Sequence, residues 1–477
     1  MARNSSLKVP ALKNTVLTSG AALKIAAPLL VFALVMFMPA PQPLTRDGQQ
    51  ALAVTSLVVV LWATEALPIA VTGISGVLLL VLFGAVPDIT DALFGFSQPV
   101  AYFLIGILTL GLAVHRSGLA LRMATFLVRG AGGSPRMLYA QMLFSFAALT
   151  FALPSASTRG AIMVHVYEKV MDSWGIGRDQ PLNKAVMMAM GSLNRLASTA
   201  LLAGGITPVV ASGLLGDFSW TQWFVLMSVP FYTNLVVGGT LLFLFYRSGF
   251  RLDQPLKFQV LDTGPVNTTE VRAAAITILT ALLWFTDFAH GLHPAVPALI
   301  ALVVILMPGI GLLSWRDFEQ NVGWSNFFVI ATSLSLANAL VTSGAAAWFS
   351  EFLVGSVVRL QTQPALVLLA LCLSFAVVRM VVPNIAGYLA LVIPVAMATG
   401  ESLGLNPLVC GLAVVVVGDS VLYYPAGGTS GLFIFQRANI SGAEVFRFGL
   451  VMTLVAIATL FLIVLPYWAA VGQPLTP

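Results

Sequence analysis

Long apolar runs recur along most of the chain and are separated by short polar loops. Eleven of these runs are long enough to cross a lipid bilayer as helices, which takes roughly 20 residues. They lie at 23–40, 50–67, 69–87, 97–114, 184–214, 222–246, 271–289, 293–309, 323–342, 406–435 and 448–470. Because a helix satisfies its backbone hydrogen bonds internally, the pattern predicts an all-α polytopic membrane protein with about 11 transmembrane helices.

Two further apolar segments, 137–171 and 364–400, are each interrupted near the middle by proline and small polar residues. The first interruption is the stretch Leu153–Gly160, and the second is Val382–Gly387. Each segment is long enough to enter the membrane and return on the same side. We therefore predict two re-entrant helical hairpins whose tips meet at mid-membrane.

Composition agrees with a lipid environment. Hydrophobic residues make up 58% of the chain and charged residues 9%, and the mean hydropathy is +0.95, whereas soluble domains carry roughly 25% charged residues. The net charge of +5 forms no clustered basic face, which argues against a nucleic-acid partner. Cys372 and Cys410 lie in apolar runs and are predicted to be core residues.

Basic residues orient the predicted helices. With eleven crossings and two hairpins, the basic loops fall on one face, and the positive-inside rule makes that face cytoplasmic. The N-terminus is then cytoplasmic, the C-terminus is external, and a bacterial inner (plasma) membrane is the expected location. These loops carry Arg116, Arg122, Arg129 and Arg136; Lys169, Arg178 and Lys184; Arg247, Arg251, Lys257 and Arg272; and Arg437 and Arg447, while Arg46 and Arg359 lie on the other face.

Three pairs of matched features indicate an internal repeat of opposite orientation. Ser117 and Ser343 each precede a glycine at the end of a span, Pro154 and Pro383 each open a hairpin tip, and a Gly-Gly break follows in each half. The separations are 226, 229 and 223 residues. We divide the chain into a tail (1–22), a first helix with an external loop (23–49), a first repeat (50–250), a cytoplasmic linker (251–270), a second repeat (271–470) and an external tail (471–477).

Interrupted membrane helices suggest an anion site. The N-terminal ends of half-helices carry partial positive charge and free N–H groups, which suit carboxylate oxygens. Small polar side chains at the breaks add hydrogen-bond donors, although any single hydroxyl could instead bond to its own helix. The predicted substrate-binding residues are Ser155, Ser157, Thr158, Arg159, Thr207, Asn384 and Thr429.

Two arginines, Arg159 and Arg379, are predicted to place positive charge inside the membrane. An arginine at mid-membrane costs roughly 2.5–3.5 kcal/mol, so Arg159 requires a counter-charge, which could be a substrate carboxylate or a protein acid. Arg379, one turn before Asn384, could act as a tethered cation or extend outward to the interface. Arg195 and Asp419 precede the two Gly-Gly breaks by similar distances and could pair. The predicted charge-compensating or ion-site residues are Arg159, Arg379, Gly204, Gly205, Gly427 and Gly428.

The string Trp62-Ala63-Thr64-Glu65-Ala66-Leu67-Pro68, the two tips and the two Gly-Gly-Thr breaks resemble the divalent anion/sodium symporter family over about residues 50–470. The Pro-Ser-x-x-x-Arg tip is most similar to the exchanger-like members that carry oxoglutarate/malate or citrate/succinate. The resemblance implies a homodimer in which each subunit has a scaffold and an elevator-like transport domain. It also implies tips of sequence Ser-Asn-Thr that bind substrate carboxylates and help to form two sodium sites.

The tips depart from that family pattern. Ala156 stands where asparagine is expected, and Pro383 and Ile385 replace serine and threonine. Sodium prefers several oxygen ligands, so a residual sodium site near Ser155, Gly205 and Asn384 stays open but incomplete. No other cofactor is implied.

We therefore expect a secondary transporter of small organic anions, with di- or tricarboxylates as substrates and sodium-independent exchange as the mechanism. Sodium-coupled uptake of dicarboxylate or sulfate, and an anion channel, remain as alternatives. The chain lacks H-E-x-x-H and G-x-S-x-G motifs, and it is not expected to be an enzyme.

Overall fold

The structure is a computed structural model that describes residues 19–40, 42–153, 155–251, 263–357, 362–427 and 431–476. Pro154, Arg359, Gly428 and Thr429 lie outside the described residues, as do most of the predicted linker and of the N-terminal tail. The described residues form α-helices, a few single turns of 3₁₀-helix or π-helix and connecting loops, without a β-strand. The prediction of an all-α chain is confirmed.

Among the described residues, thirteen helices precede the linker. They are α1 (Ser19–Phe37), α2 (Arg46–Thr64), α3 (Ile69–Leu82), α4 (Ile89–Ala92), α5 (Phe94–Ser97), α6 (Pro99–Ser117), α7 (Leu119–Arg129), α8 (Pro135–Thr150), α9 (Ala156–Ser173), α10 (Pro181–Ser192), α11 (Asn194–Thr199), α12 (Ile206–Leu215) and α13 (Trp220–Phe245). The 3₁₀ turns in this half are Leu202–Gly204 and Arg247–Phe250.

Twelve helices follow the linker. They are α14 (Thr268–Phe285), α15 (Asp287–His290), α16 (Ala295–Leu306), α17 (Trp315–Asn321), α18 (Trp324–Thr342), α19 (Ala345–Val357), α20 (Pro364–Val381), α21 (Ile385–Ser402), α22 (Pro407–Asp419), α23 (Gly431–Gln436), α24 (Gly442–Thr459) and α25 (Leu465–Ala470). Pro425–Gly427 form a 3₁₀ turn, and a π-helical turn, Leu460–Val464, joins α24 to α25.

Seven helices among the described residues are long and apolar enough to cross a membrane: α6, α13, α14, α18, α20, α21 and the continuous helix from α24 to α25. Shorter apolar helices, α3, α12, α16 and α22 among them, accompany these seven. Large apolar side chains such as Phe245 and Leu462 are 73% and 77% exposed, as expected for surfaces that face lipid. The multi-pass architecture is confirmed, while the count of eleven crossings stays a prediction.

The same succession of helices occurs twice. In the first half, α6 is followed by α7, by the pair α8 and α9, and by α10 to α12; in the second half, α18 is followed by α19, by the pair α20 and α21, and by α22 and α23. Gly118 and Gly344 end the leading helices with φ angles of 89° and 77°, a conformation that favours glycine. This correspondence supports the predicted repeat.

The helix pairs coincide with the two predicted hairpins. The arms entering the tips, α8 and α20, both begin with proline, whose fixed φ suits the first helical turn. The returning arms start at Ser155 and Asn384, whose side chains each accept a backbone N–H as N-caps. Local sequence therefore determines where each hairpin breaks. That these hairpins re-enter the membrane stays a prediction.

Helix α21 connects the second tip to the rest of the fold. It packs on α22, α19, α12, α18 and α2. Its first turn lies against Trp62 of α2, so close that a Cβ added to Gly387 would be 2.7 Å from the indole ring. The distinctive Trp62–Pro68 string thus lies directly beside the second tip. Glu65, predicted to be a scaffold residue, ends α2 in the left-handed conformation (φ 50°).

Candidate functional site

The first hairpin tip presents hydroxyl groups at the start of α9. The Oγ of Ser155 accepts hydrogen bonds from the backbone N–H of Thr158, at 3.2 Å, and from the Thr158 hydroxyl, at 3.1 Å. Ser155, Ser157 and Thr158 are partly accessible. Ser155 therefore bonds to its own helix, which is the alternative given above for a single hydroxyl. The tip nevertheless presents a cluster of small polar side chains at a helix N-terminus.

Arg159 is enclosed directly beneath this tip. Its side chain has 0% exposure, and it donates from Nη1 to the carbonyl oxygen of Leu153 at 3.0 Å. Its Nε donates to Oδ1 of Asn194 at 2.6 Å, and Nη2 donates to the carbonyl oxygen of Asn194 at 2.8 Å and to Oγ of Ser198 at 2.7 Å. All four acceptors are formally neutral.

Among the described residues, Arg159 therefore has no carboxylate partner within ion-pair distance. Of the two counter-charges predicted for Arg159, an acidic side chain is therefore not found within the described part of the chain. The guanidinium instead joins the tip to α11, because it donates to Leu153 on one side and to Asn194 and Ser198 on the other. Asn194 strengthens this connection by donating to the carbonyl oxygen of Ala156, at 2.9 Å.

Arg379 occupies a similar position beneath the second tip. It is 2% exposed, and its Nη1 donates to the carbonyl oxygens of Val382 and Pro383 at 2.6 and 2.9 Å. Its Nε donates to the carbonyl oxygen of Gly418 at 3.1 Å. Of the two orientations considered for Arg379, extension outward to the interface is not observed, and the guanidinium lies inside a cage of carbonyl oxygens.

Asn384 caps the helix that follows this cage. Its Oδ1 accepts the backbone N–H of Gly387 at 3.1 Å, and the residue is partly accessible, as are Pro383 and Ile385. The second tip thus combines a capped helix N-terminus with a buried cation immediately behind it.

Arg195 and Asp419 form the ion pair considered from their positions. Nη1 of Arg195 lies 3.5 Å from Oδ1 of Asp419. Asp419 also accepts hydrogen bonds from the hydroxyls of Thr199 and Thr207. Arg195 additionally donates to the carbonyl oxygen of Val421. Thr207, predicted to bind substrate, is therefore engaged with Asp419 across the two halves of the chain.

These contacts connect four charged residues in series: Arg159, Arg195, Asp419 and Arg379. Arg159 donates to Asn194, whose neighbour in sequence, Arg195, pairs with Asp419; the residue before Asp419 is Gly418, which accepts from Arg379. The order is symmetrical about the ion pair. Three polar contacts, joined through neighbouring residues in α11 and α22, therefore link one tip to the other.

Glycines allow the close approach of these segments. A Cβ added to Gly204 would lie 1.8 Å from the carbonyl oxygen of Ser198, so only glycine fits there. A Cβ on Gly427 would lie 3.9 Å from the carbonyl oxygen of Pro383, which brings the second Gly-Gly break to the second tip. Gly205 is extended and immediately precedes α12. Gly428 and Thr429 lie outside the described residues.

Four residues of this arrangement were not singled out from sequence: Asn194, Ser198, Thr199 and Gly418. For Asn194 and Gly418 the signal is positional, because each directly precedes a charged residue of the predicted Arg195–Asp419 pair. Within the part of the chain that the structure describes, no group of three histidine, cysteine or acidic side chains could hold a metal ion.

The sequence is similar to a family of membrane transport proteins and to individual transporters. The family model described as "Sodium:sulfate symporter transmembrane region" matches residues 20–473. The L-tartrate/succinate antiporter of Shigella boydii is 24% identical over 472 residues, which cover 91% of this chain and 95% of that protein. Dicarboxylate transporter 1 of Arabidopsis thaliana, a chloroplastic protein, is 27% identical and aligns with 74% of this chain and 65% of its own length.

Among solved structures, the YdaH transporter of Alcanivorax borkumensis has a similar fold. It is aligned over 96% of this chain and 100% of its own, with a TM-score of 0.50 and 14% identity. The same overall arrangement of helices is therefore found in an experimentally determined membrane transporter.

Proposed function

The chain belongs to the family described as the sodium:sulfate symporter transmembrane region, and we propose that it is a secondary active transporter that exchanges small dicarboxylates across a bacterial inner membrane. It is a membrane transporter and not an enzyme, as its family indicates. The proposal concerns the substrate, the coupling and the mechanism.

The two buried guanidinium groups behind the tips are the observation that carries the proposal. Arg159 and Arg379 are 0% and 2% exposed, and each donates only to neutral protein oxygens among the described contacts. Two positive charges that form no ion pair with a carboxylate of the described residues favour an anion that brings two negative charges. A dicarboxylate held between Ser155, Thr158 and Asn384 satisfies this requirement.

Fixed cations also favour exchange over sodium coupling. The carbonyl oxygens of Val382, Pro383 and Gly418, which could otherwise ligate a hard cation, accept hydrogen bonds from Arg379. A sodium ion placed in the same cage would meet the guanidinium at close range, where like charges repel strongly in a low dielectric. The empty carrier then retains its positive charge, and moving that charge across the membrane without an anion is unfavourable.

The names of the relatives support the choice of a dicarboxylate. One is an antiporter of tartrate and succinate, and another is a dicarboxylate transporter. Succinate, malate and oxoglutarate are therefore the first substrates to test, followed by tricarboxylates and sulfate.

An elevator-type mechanism fits the arrangement of the tips. In our proposal the helix pairs α8–α9 and α20–α21 move together with α10 to α12 and α22, because the chain of contacts from Arg159 to Arg379 links them. Trp62 and Gly387 mark the surface along which this unit would slide against α2. We also propose a homodimer with a cytoplasmic N-terminus and an external C-terminus, on the family resemblance and the distribution of basic residues.

Sodium-coupled symport is the second candidate, since the family description itself names a sodium:sulfate symporter. In that case sodium would have to bind with the guanidinium of Arg379 displaced from its cage. An anion channel would instead produce currents without saturation or acceleration by internal substrate.

Thermal stability of the purified protein tests the substrate assignment. We expect succinate to raise the melting temperature without sodium, and monomethyl succinate, which carries one charge, to raise it much less. Arg379→Met should reduce the shift at the same succinate concentration, whereas Arg129→Gln, a change at an exposed arginine, should leave it intact. A shift that requires sodium, or one that is as large in Arg379→Met as in wild type, would contradict the proposal.

A further inference from the structure

Asp419 is the one acid in the chain of charges that links the tips. Its side chain is 2% exposed, and that of Arg195 is 16% exposed. The carboxylate has three separate partners, the guanidinium of Arg195 and the hydroxyls of Thr199 and Thr207. These donors favour the ionised carboxylate, whereas burial favours the neutral acid, so the negative charge of Asp419 depends on keeping them.

The ion pair between Arg195 and Asp419 lacks the short distance of a strong charge-assisted hydrogen bond. The 3.5 Å separation between Nη1 and Oδ1 is longer than the roughly 2.7–2.9 Å of a strong charge-assisted hydrogen bond. In addition, Nε of Arg195 is buried and has no acceptor among the described residues. Replacing both partners of a buried ion pair with well-packed hydrophobic residues of similar volume often costs no stability, so stability alone does not explain why these charges are present.

The net charge of the four connected residues explains why the ion pair is present. Arg159, Arg195 and Arg379 contribute three positive charges and Asp419 one negative charge, which leaves two positive charges in a region with little access to water. In a low dielectric, each uncompensated charge acts over several ångströms on a bound anion.

We propose that Asp419, through its pairing with Arg195, sets the valence of the transported anion at two. Without Asp419 the connected residues would carry three positive charges and would favour a trianion. Without Arg195, and with Asp419 kept ionised by a pH well above neutral, they would carry one and would favour a monoanion. This assignment rests on the proposed function, because it presumes that a carboxylate binds between the tips.

The test compares pairs of ligands that differ by one negative charge and one methyl group. One pair is succinate and monomethyl succinate; the other is tricarballylate and its monomethyl ester, all measured above the pKa of every carboxyl group. Binding to the purified full-length protein is measured by calorimetry for wild type, Asp419→Asn, Arg195→Gln and the double variant. Arg195→Lys and Asp419→Glu preserve the charges and act as controls.

In Asp419→Asn we expect the ratio of tricarballylate affinity to that of its monomethyl ester to rise at least about tenfold, given the size of charge–charge energies in partly buried sites. In Arg195→Gln we expect the ratio of succinate affinity to that of monomethyl succinate to fall by a similar factor. The double variant restores two positive charges and should regain the wild-type ratios, and the controls should keep them.

The outcomes separate the two proposals. If wild type binds succinate but all variants show the same ratios, the valence assignment is wrong and dicarboxylate transport stands. If wild type binds none of the four ligands, the proposed function itself fails, and the valence assignment fails with it. Should Asp419→Asn or Arg195→Gln not fold, Asp419→Ser and Arg195→Met make the same changes of charge with other side chains: the shifts in ratio given above support the assignment, and unchanged ratios overturn it.

Discussion

Arg159 and Arg379 fill corresponding cages of protein oxygens but reach them from opposite sides of their hairpin tips. Arg159 lies on the returning helix after Ser155, whereas Arg379 lies on the entering helix before Asn384. Each donates to a carbonyl oxygen at its own tip, Leu153 or Val382, and to another on the interrupted helix beyond, Asn194 or Gly418. The two halves thus carry the same buried charge through different sequence positions.

Replacing Arg379 should reveal whether its charge or its shape matters. Arg379→Met leaves three carbonyl oxygens without a donor and removes one positive charge, so we expect succinate affinity to fall at least about tenfold, a change of about 1.4 kcal/mol. Arg379→Lys keeps the charge and should retain most of the affinity. Calorimetric titration with succinate checks both; equal losses in the two variants would show that the charge is not what binds the anion.

Arg159→Gln should destabilise the fold as well as weaken binding. Four buried acceptors lose their donor, and each unsatisfied buried polar group costs about 1–3 kcal/mol. We expect a loss on the order of 3 kcal/mol after partial relaxation, seen as a lower melting temperature in the absence of ligand. The control is Arg116→Gln, because the side chain of Arg116 is 50% exposed and surface ion pairs contribute about 0–1 kcal/mol. Equal melting temperatures for the two variants would contradict the structural part of this account.

Gly204→Ala should disturb the site through backbone displacement. The added methyl group would lie 1.8 Å from the carbonyl oxygen of Ser198, the residue whose hydroxyl accepts from Arg159. We expect a lower melting temperature and a loss of succinate exchange in proteoliposomes. Gly355→Ala is the matched control, since an added Cβ there meets nothing within 4 Å. A Gly204→Ala protein with normal transport would show that this close approach is not required.

Arg122 should anchor the end of the linker to α7. It donates to Thr263, Gly264, Pro265 and Glu270. Arg122→Gln is therefore expected to increase backbone hydrogen exchange in residues 263–271 without changing substrate binding. Exposed Arg129 gives the control, Arg129→Gln. Unchanged exchange in the Arg122 variant would mean that other contacts hold this segment.

Local signals were sufficient to predict much of the fold. The hairpin predicted at 137–171 appears as α8 and α9, because proline at the start of α8 and a capping serine at Ser155 mark its helices. The Arg195–Asp419 pair followed from equivalent positions in two repeats. Contacts that depend on tertiary packing were not predictable: Asn194 receives Arg159 from 35 positions earlier in the chain, and nothing in its own sequence neighbourhood indicates an arginine partner.

The central claim is that fixed arginines make the carrier an obligatory exchanger of dianions. Its most direct test is uptake of labelled succinate into proteoliposomes, with and without internal succinate and with and without an inward sodium gradient. We predict uptake only into vesicles preloaded with the dianion, at a rate that does not change with sodium. Robust sodium-stimulated uptake into vesicles that contain no internal anion would contradict the claim.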